Sequence, residues 1–165
     1  WGIPEDTWTY LLSKNLVTMI ERIHNDFGFD AKIVGTVIGH RFRSLEGRKQ
    51  VHHSFSYETL YEMFRFIKAK ELLPVIARVM LPATVAQERP DFEKILGEMH
   101  HRKYSMKEIT NQATGLMDEF RKVCFEYSDR AASDWIMGRI HMMALGNEDL
   151  AGVRKEINGL LGLTL

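Results

Sequence analysis

Cysteine is almost missing from this chain: Cys124 is the only one in 165 residues. An internal disulfide framework and a multi-thiol metal site are therefore excluded, and an intracellular setting fits best. Charge of one sign is missing too, since 22 Lys and Arg face 22 Asp and Glu. A free-standing nucleic-acid binder ordinarily carries a positive surplus, so any RNA contact here has to rest on a local patch. No run of about 18 apolar residues occurs, which predicts no membrane-spanning helix and a cytoplasmic protein. Also lacking are strand-like alternation bounded by hairpin signals, a glycine-rich phosphate loop, a Ser–His–Asp order, and the HxxxH or HExxH spacing of helical metal sites. Neither internal repeats nor low-complexity tracts interrupt the sequence. The chain opens on Trp1 with no basic-then-apolar leader pattern, and it reads as a piece of a longer protein.

What remains is ordinary globular composition, 45% hydrophobic and 27% charged, with helical periodicity dominant. Leu16, Met19, Ile20, Ile23 and Phe27 share one helix face that should stop at Gly28. A short helix near Pro4 should carry Trp8, Leu11 and Leu12. Asp30 is placed to cap a third helix through Ile33, Val34, Val37 and Ile38 toward Leu45. Within it, Gly35 and Gly39 either permit a close approach or simply weaken the helix.

Ser56 has the position of an N-cap, with Phe55 placed to staple onto Leu60. Pro82 should end or kink a helix begun near Leu73. Breaks are expected at 47–54 and 87–91. Ser105 and Glu108 have capping-box spacing, with Tyr104 placed to staple onto Ile109. From there one apolar face should run through Ala113, Leu116, Phe120, Val123 and Tyr127. The expected fold is all-α, as two small helical-bundle subdomains, residues 1–101 and 102–165.

The stretch 134–157 is the most specific. It reads as a helix with a buried-looking Gly138, a stop at Gly146, a fresh cap at Asn147 and a second amphipathic helix. Gly138, Ile140, Met142, Gly146 and the apolar positions from Leu150 to Leu161 resemble the C-terminal end of the GatB/YqeY family. A weaker resemblance covers most of the remaining chain, including a capped helix followed by a basic turn at Lys68, Lys70 and Glu71. The resemblance implies a GatB/YqeY-like tail of a tRNA-dependent amidotransferase subunit of the B or E type, or a related protein.

Larger members of that family amidate Glu or Asp already attached to tRNA, with ATP and with ammonia from a partner amidase subunit. The resemblance thus implies a tRNA-binding, non-catalytic tail that positions misacylated tRNA, tRNA(Gln) foremost. Amidation would be carried out in other domains, and no catalytic residue, metal or cofactor is expected in this stretch. Two positions that are commonly basic in the family are Met143 and Asn147 here. Arg139 and His141 lie near enough on the same helix to substitute in part.

The residues expected to meet RNA are Arg102, Lys103, Arg121, Lys122, Arg139, His141, Arg154 and Lys155, with Lys107 nearby. A second basic cluster comprises His40, Arg41, Arg43, Arg48, Lys49, His52 and His53. Lys and Arg neutralise phosphates and release counterions, whereas the alternative is a solvated face balanced by acids. Shape and backbone, rather than base sequence, would be recognised. The adjacent pairs His52–His53 and His100–His101 read as surface or loop residues, and Cys124 as an inert thiol in a helix. Acidic pairs at 118–119 and 148–149 read as a solvated face and a helix first turn. The rival reading is a helical protein-interaction module that has lost RNA binding.

Overall fold

A computed structural model of the chain describes residues 1–125 and 127–164. Those residues form helices and no strands, an all-α helical-bundle fold. They fall into two compact units, Trp1–His100 and His101–Leu165.

The first unit starts with a 3₁₀ turn, Glu5–Thr7, and helix α1, Trp8–Ser13. Helix α2, Val17–Phe27, ends at Gly28 in the left-handed conformation, φ 70°. Glycine meets no Cβ penalty there, so the expected stop is observed. Asp30 caps α3, Ala31–Thr36, by accepting the Lys32 N–H at 2.8 Å. The chain then widens into a π-helical turn, Val37–Phe42, before α4, Arg43–Gly47. Gly35 and Gly39 are there for close approach. A Cβ on Gly39 would lie 2.6 Å from Thr7 Cβ, and one on Gly35 2.6 Å from the tip of Ile3.

Helix α5 runs Glu58–Ala69. Ser56 acts one residue earlier than an N-cap of α5, its hydroxyl accepting the Glu58 N–H at 3.3 Å. Phe55 packs its ring on Phe42, with centroids 5.4 Å apart. A 3₁₀ turn, Pro74–Ile76, leads into α6, Ala77–Val85. Pro82 does not end this helix; three further residues follow it. Asp91 caps α7, Phe92–Glu98, accepting the Lys94 N–H at 3.0 Å. Ile20, Ile23, Ile38, Phe42, Leu60, Phe64, Ile67 and Met80 are fully buried and build the core of this unit.

The second unit is built from α8, Met106–Thr110, α9, Ala113–Val123, α10, Asp129–Ala144, and α11, Leu150–Leu161. The capping box forms as expected, Ser105 and Glu108 each bonding the other's amide. The single apolar face expected to run on to Tyr127 does not. The backbone tightens at Asn111 and Gln112, where Gln112 N–H reaches back to Ile109 O. The buried face keeps the expected Ile109, Ala113 and Phe120 and adds Met117, with Leu116 packed against them. Val123 and Tyr127 are exposed, and Cys124 leaves the helix in extended conformation. The core is completed by Ile136, Ile140 and Ala144 of α10 and by Val153 and Ile157 of α11.

Candidate nucleic-acid interface

The turn between α10 and α11 decides the shape of the second unit. Leu145 closes α10, and Gly146 takes φ 78°, a value that an L side chain resists. The following amides of Asn147 and Glu148 both donate to Ala144 O at 2.9 Å. Asn147 is not the cap of α11. Asp149 is, accepting the Gly152 N–H at 2.8 Å. Asn147 instead turns its side-chain amide onto Arg102 O at 2.8 Å and Met143 O at 2.9 Å. The physical reason is the left-handed Gly146, which reverses the chain and points the next side chain back at the start of the unit.

Two neighbours strengthen this clasp. The ring Nε2 of His101 lies 3.1 Å from Leu145 O, and since a carbonyl only accepts, Nε2 carries the hydrogen. Partial burial lowers the His101 pKa, opposed by that hydrogen bond. Glu148 accepts the Met106 N–H at 3.1 Å, capping α8 rather than serving its own helix. Sequence spacing gave no hint of this, because Glu148 is 42 residues from its partner.

Gly138 is not buried. It lies on the exposed face of α10, and a Cβ there would meet nothing within 4 Å. Met142 is also exposed, at 52%. The apolar contacts of α10 are made instead by Ile136, Met137 and Ile140. Gly138 and His141 line a shallow groove of about 500 Å³ with Asp134, Met137, Leu150, Ala151 and Arg154. Arg154 is held inside it, bonded to Asp134 at 2.7 Å and to Ser133 at 3.4 Å.

The other basic residues spread around this unit. Arg102 and Lys103 are exposed on the entering segment. Arg121 and Lys122 end α9, with Arg121 3.7 Å from Asp118. Lys155 is exposed on α11. Arg139 lies over the Trp135 ring, 4.6 Å from its centroid, and Trp135 packs on Phe120. This stack holds a guanidinium outward on a fixed stem.

Carboxylates in the unit are turned differently. Glu108, Glu148, Asp149 and Asp129 accept backbone N–H groups of Ser105, Met106, Gly152 and Thr164. Bonding from Ser105 holds the Glu108 carboxyl below its ordinary pKa. Among the described residues, Arg102, Lys107, Lys122, Arg139 and Lys155 have no carboxylate partner. Five cations of this unit thus stand without a carboxylate, while four of its carboxylates are turned onto backbone amides.

Of the basic cluster in the first unit, His40, Arg43, His52 and His53 are engaged locally, while Arg41, Arg48 and Lys49 are in no ion pair among the described residues. His40 lies 3.5 Å from Asp6, while Arg43 donates to Asp6 O at 3.1 Å and sits near the Tyr10 ring. Tyr10 in turn donates to Glu46 at 2.9 Å; burial and that carboxylate push its pKa strongly upward. His52 and His53 stack with centroids 4.2 Å apart, and His52 Nδ1 accepts the Ser54 N–H. No grouping of His, Cys, Asp and Glu able to hold a metal occurs among the described residues. No helix there is long and apolar enough to cross a membrane. No family model, curated protein or solved structure matches the chain.

Proposed function

We propose that this chain is the tRNA-binding, non-catalytic tail of a tRNA-dependent amidotransferase subunit, of the B or E type. The second unit would grip the phosphate backbone of a misacylated tRNA while amidation proceeds in other domains. An amidase subunit would be the protein partner through those domains. The observation that carries the reading is the separation of charge in the second unit. Four of its carboxylates, Glu108, Glu148, Asp149 and Asp129, are turned onto backbone amides, while Arg102, Lys107, Lys122, Arg139 and Lys155 stand without carboxylate partners among the described residues. Phosphates would displace only counterions from such cations. The resemblance read from the residues of 134–157 supplies the family context of this reading.

Binding to tRNA(Gln) and to an unrelated hairpin RNA, each at about 50 and 200 mM salt, tests this. If the five cations each meet a phosphate, affinity for tRNA should fall by roughly 10²–10³ between those salts. Combining Arg139→Glu with Lys155→Glu should weaken binding and flatten that dependence. Absence of salt-sensitive tRNA binding would sink the proposal.

One observation favours the rival reading of a protein-interaction module. Trp1, Trp8 and Leu12 are more than half exposed and border a groove of about 540 Å³ in the first unit.

A further inference from the structure

A smaller groove in the first unit has a more definite chemistry. It encloses about 220 Å³ between α3 and its π-helical continuation on one side and the 74–78 segment on the other. Its lining is Lys32, Ile33, Thr36, Val37, Val75 and Arg78. Three of these are aliphatic, two are exposed cations, and none is a carboxylate. Among the described residues neither Lys32 nor Arg78 is in an ion pair. Asp30, the acid nearest Lys32 in sequence, is turned onto the Lys32 amide instead.

Thr36 narrows the choice of ligand. Its hydroxyl donates to Lys32 O at 2.7 Å, so toward the groove it can only accept. A complementary ligand must present a negative group to Lys32 and Arg78, an apolar group to the aliphatic side chains, and a hydrogen-bond donor to Thr36. A peptide segment carries all three. An RNA backbone supplies the charge but finds no aromatic face in the lining for its bases and aliphatic side chains unsuited to phosphate and sugar. The π-helical turn beside the groove is a rare geometry that often accompanies binding sites.

We infer that this groove docks an acidic segment of a partner protein, with an aliphatic side chain seated on Ile33, Val37 and Val75 and a neighbouring carboxylate held by Lys32 and Arg78. The inference stands apart from the RNA reading, since it uses none of the residues of the second unit.

The test is a titration of the whole isotopically labelled chain, followed by amide NMR shifts. The probe is a blocked helical peptide with Leu and Glu one helical turn apart, beside the same peptide with Gln in place of Glu. Expected is binding in the ~0.1–1 mM range, ordinary for a small groove. Shifts should centre on Ile33, Val37, Val75 and Arg78, and the Gln peptide should bind at least about tenfold more weakly. Combining Lys32→Glu with Arg78→Glu should abolish them. Both side chains are exposed, so the melting temperature should hold. If that variant unfolds, the peptide pair alone decides. Equal binding of the Glu and Gln peptides, or no shifts at these residues, would overturn the inference. So would stronger shifts at the same residues from a single-stranded oligouridylate.

Discussion

Asn147 donates its side-chain amide to Arg102 O at 2.8 Å, tying the α10–α11 turn to a residue 45 positions earlier. The same amide group holds Met143 O at 2.9 Å, while its own Oδ1 is buried without a partner among the described residues. An amide with both hydrogens placed and its oxygen orphaned is specialised as a donor. The entering segment and the helix end are thereby closed into one clasp, beside His101 and Glu148.

Replacing this residue should be costly and asymmetric. Asn147→Ala leaves two carbonyls short of a donor and should destabilise by about 1–3 kcal/mol. Asn147→Asp should be worse, because a carboxylate oxygen would face two carbonyl oxygens. Urea melts of both variants check the order, and hydrogen exchange at Arg102–Met106 should quicken in each. Equal stability of the wild type and Asn147→Asp would remove the clasp from the account.

The pH dependence of this region has a definite sign. His101 has its folded pKa lowered by burial, so the unfolded chain binds the proton more tightly. Its contribution is complete above the unfolded value of about 6.5 and is lost as the pH falls from there through the folded value. Stability should therefore decline on acidification over that window, and His101→Gln should flatten the decline. Thermal melts of wild type and variant between about pH 7.5 and 5 test it, and a parallel slope in the two would count against it.

Glycines at 39 and 138 should respond in opposite directions to alanine. At Gly39 the new methyl would meet Thr7 Cβ, an atom fixed to the backbone, and overpacking should cost about 1–3 kcal/mol. Gly35→Ala should also be costly, since the new methyl would meet Cδ1, Cγ1 and Cγ2 of the β-branched Ile3 at 2.6–3.1 Å.

Gly138→Ala meets open space in the interior of a helix. It should stabilise the second unit by about 1 kcal/mol, raising its melting temperature by roughly 4–8 °C. A loss of tRNA binding alongside that gain would place the bare helix surface in the interface; unchanged binding would assign the glycine no contact there.

The end of α2 at Gly28, the cap at Asp30 and the box at Ser105 and Glu108 depend on partners a few residues away, and the chain order alone specifies them. So does the all-α class, which follows from apolar spacing. Ala113 and Phe120 take their expected places in the core, but Val123 and Tyr127 do not, because the helix ends at Val123 and Cys124 turns to extended backbone. Gly138 looked buried because a glycine in a helix ordinarily excuses its cost by packing, and nothing local reveals that its side of α10 faces outward.

The basic residues themselves were legible; which of them lack acidic partners was not. Pairing of Arg154 with Asp134 across 20 residues, or capping of Met106 by Glu148 across 42, depends on where the packed helices bring their surfaces. The same holds for Lys32 and Arg78, which flank one groove only because α3 lies against the 74–78 segment. By itself the sequence determined the all-α class, the stop at Gly28, the cap at Asp30 and the box at Ser105 and Glu108, since those energies are set within one or two turns. Only the tertiary structure decided which charges are occupied and which are left to meet a ligand, because Coulomb and hydrogen-bond energies depend on distance through space.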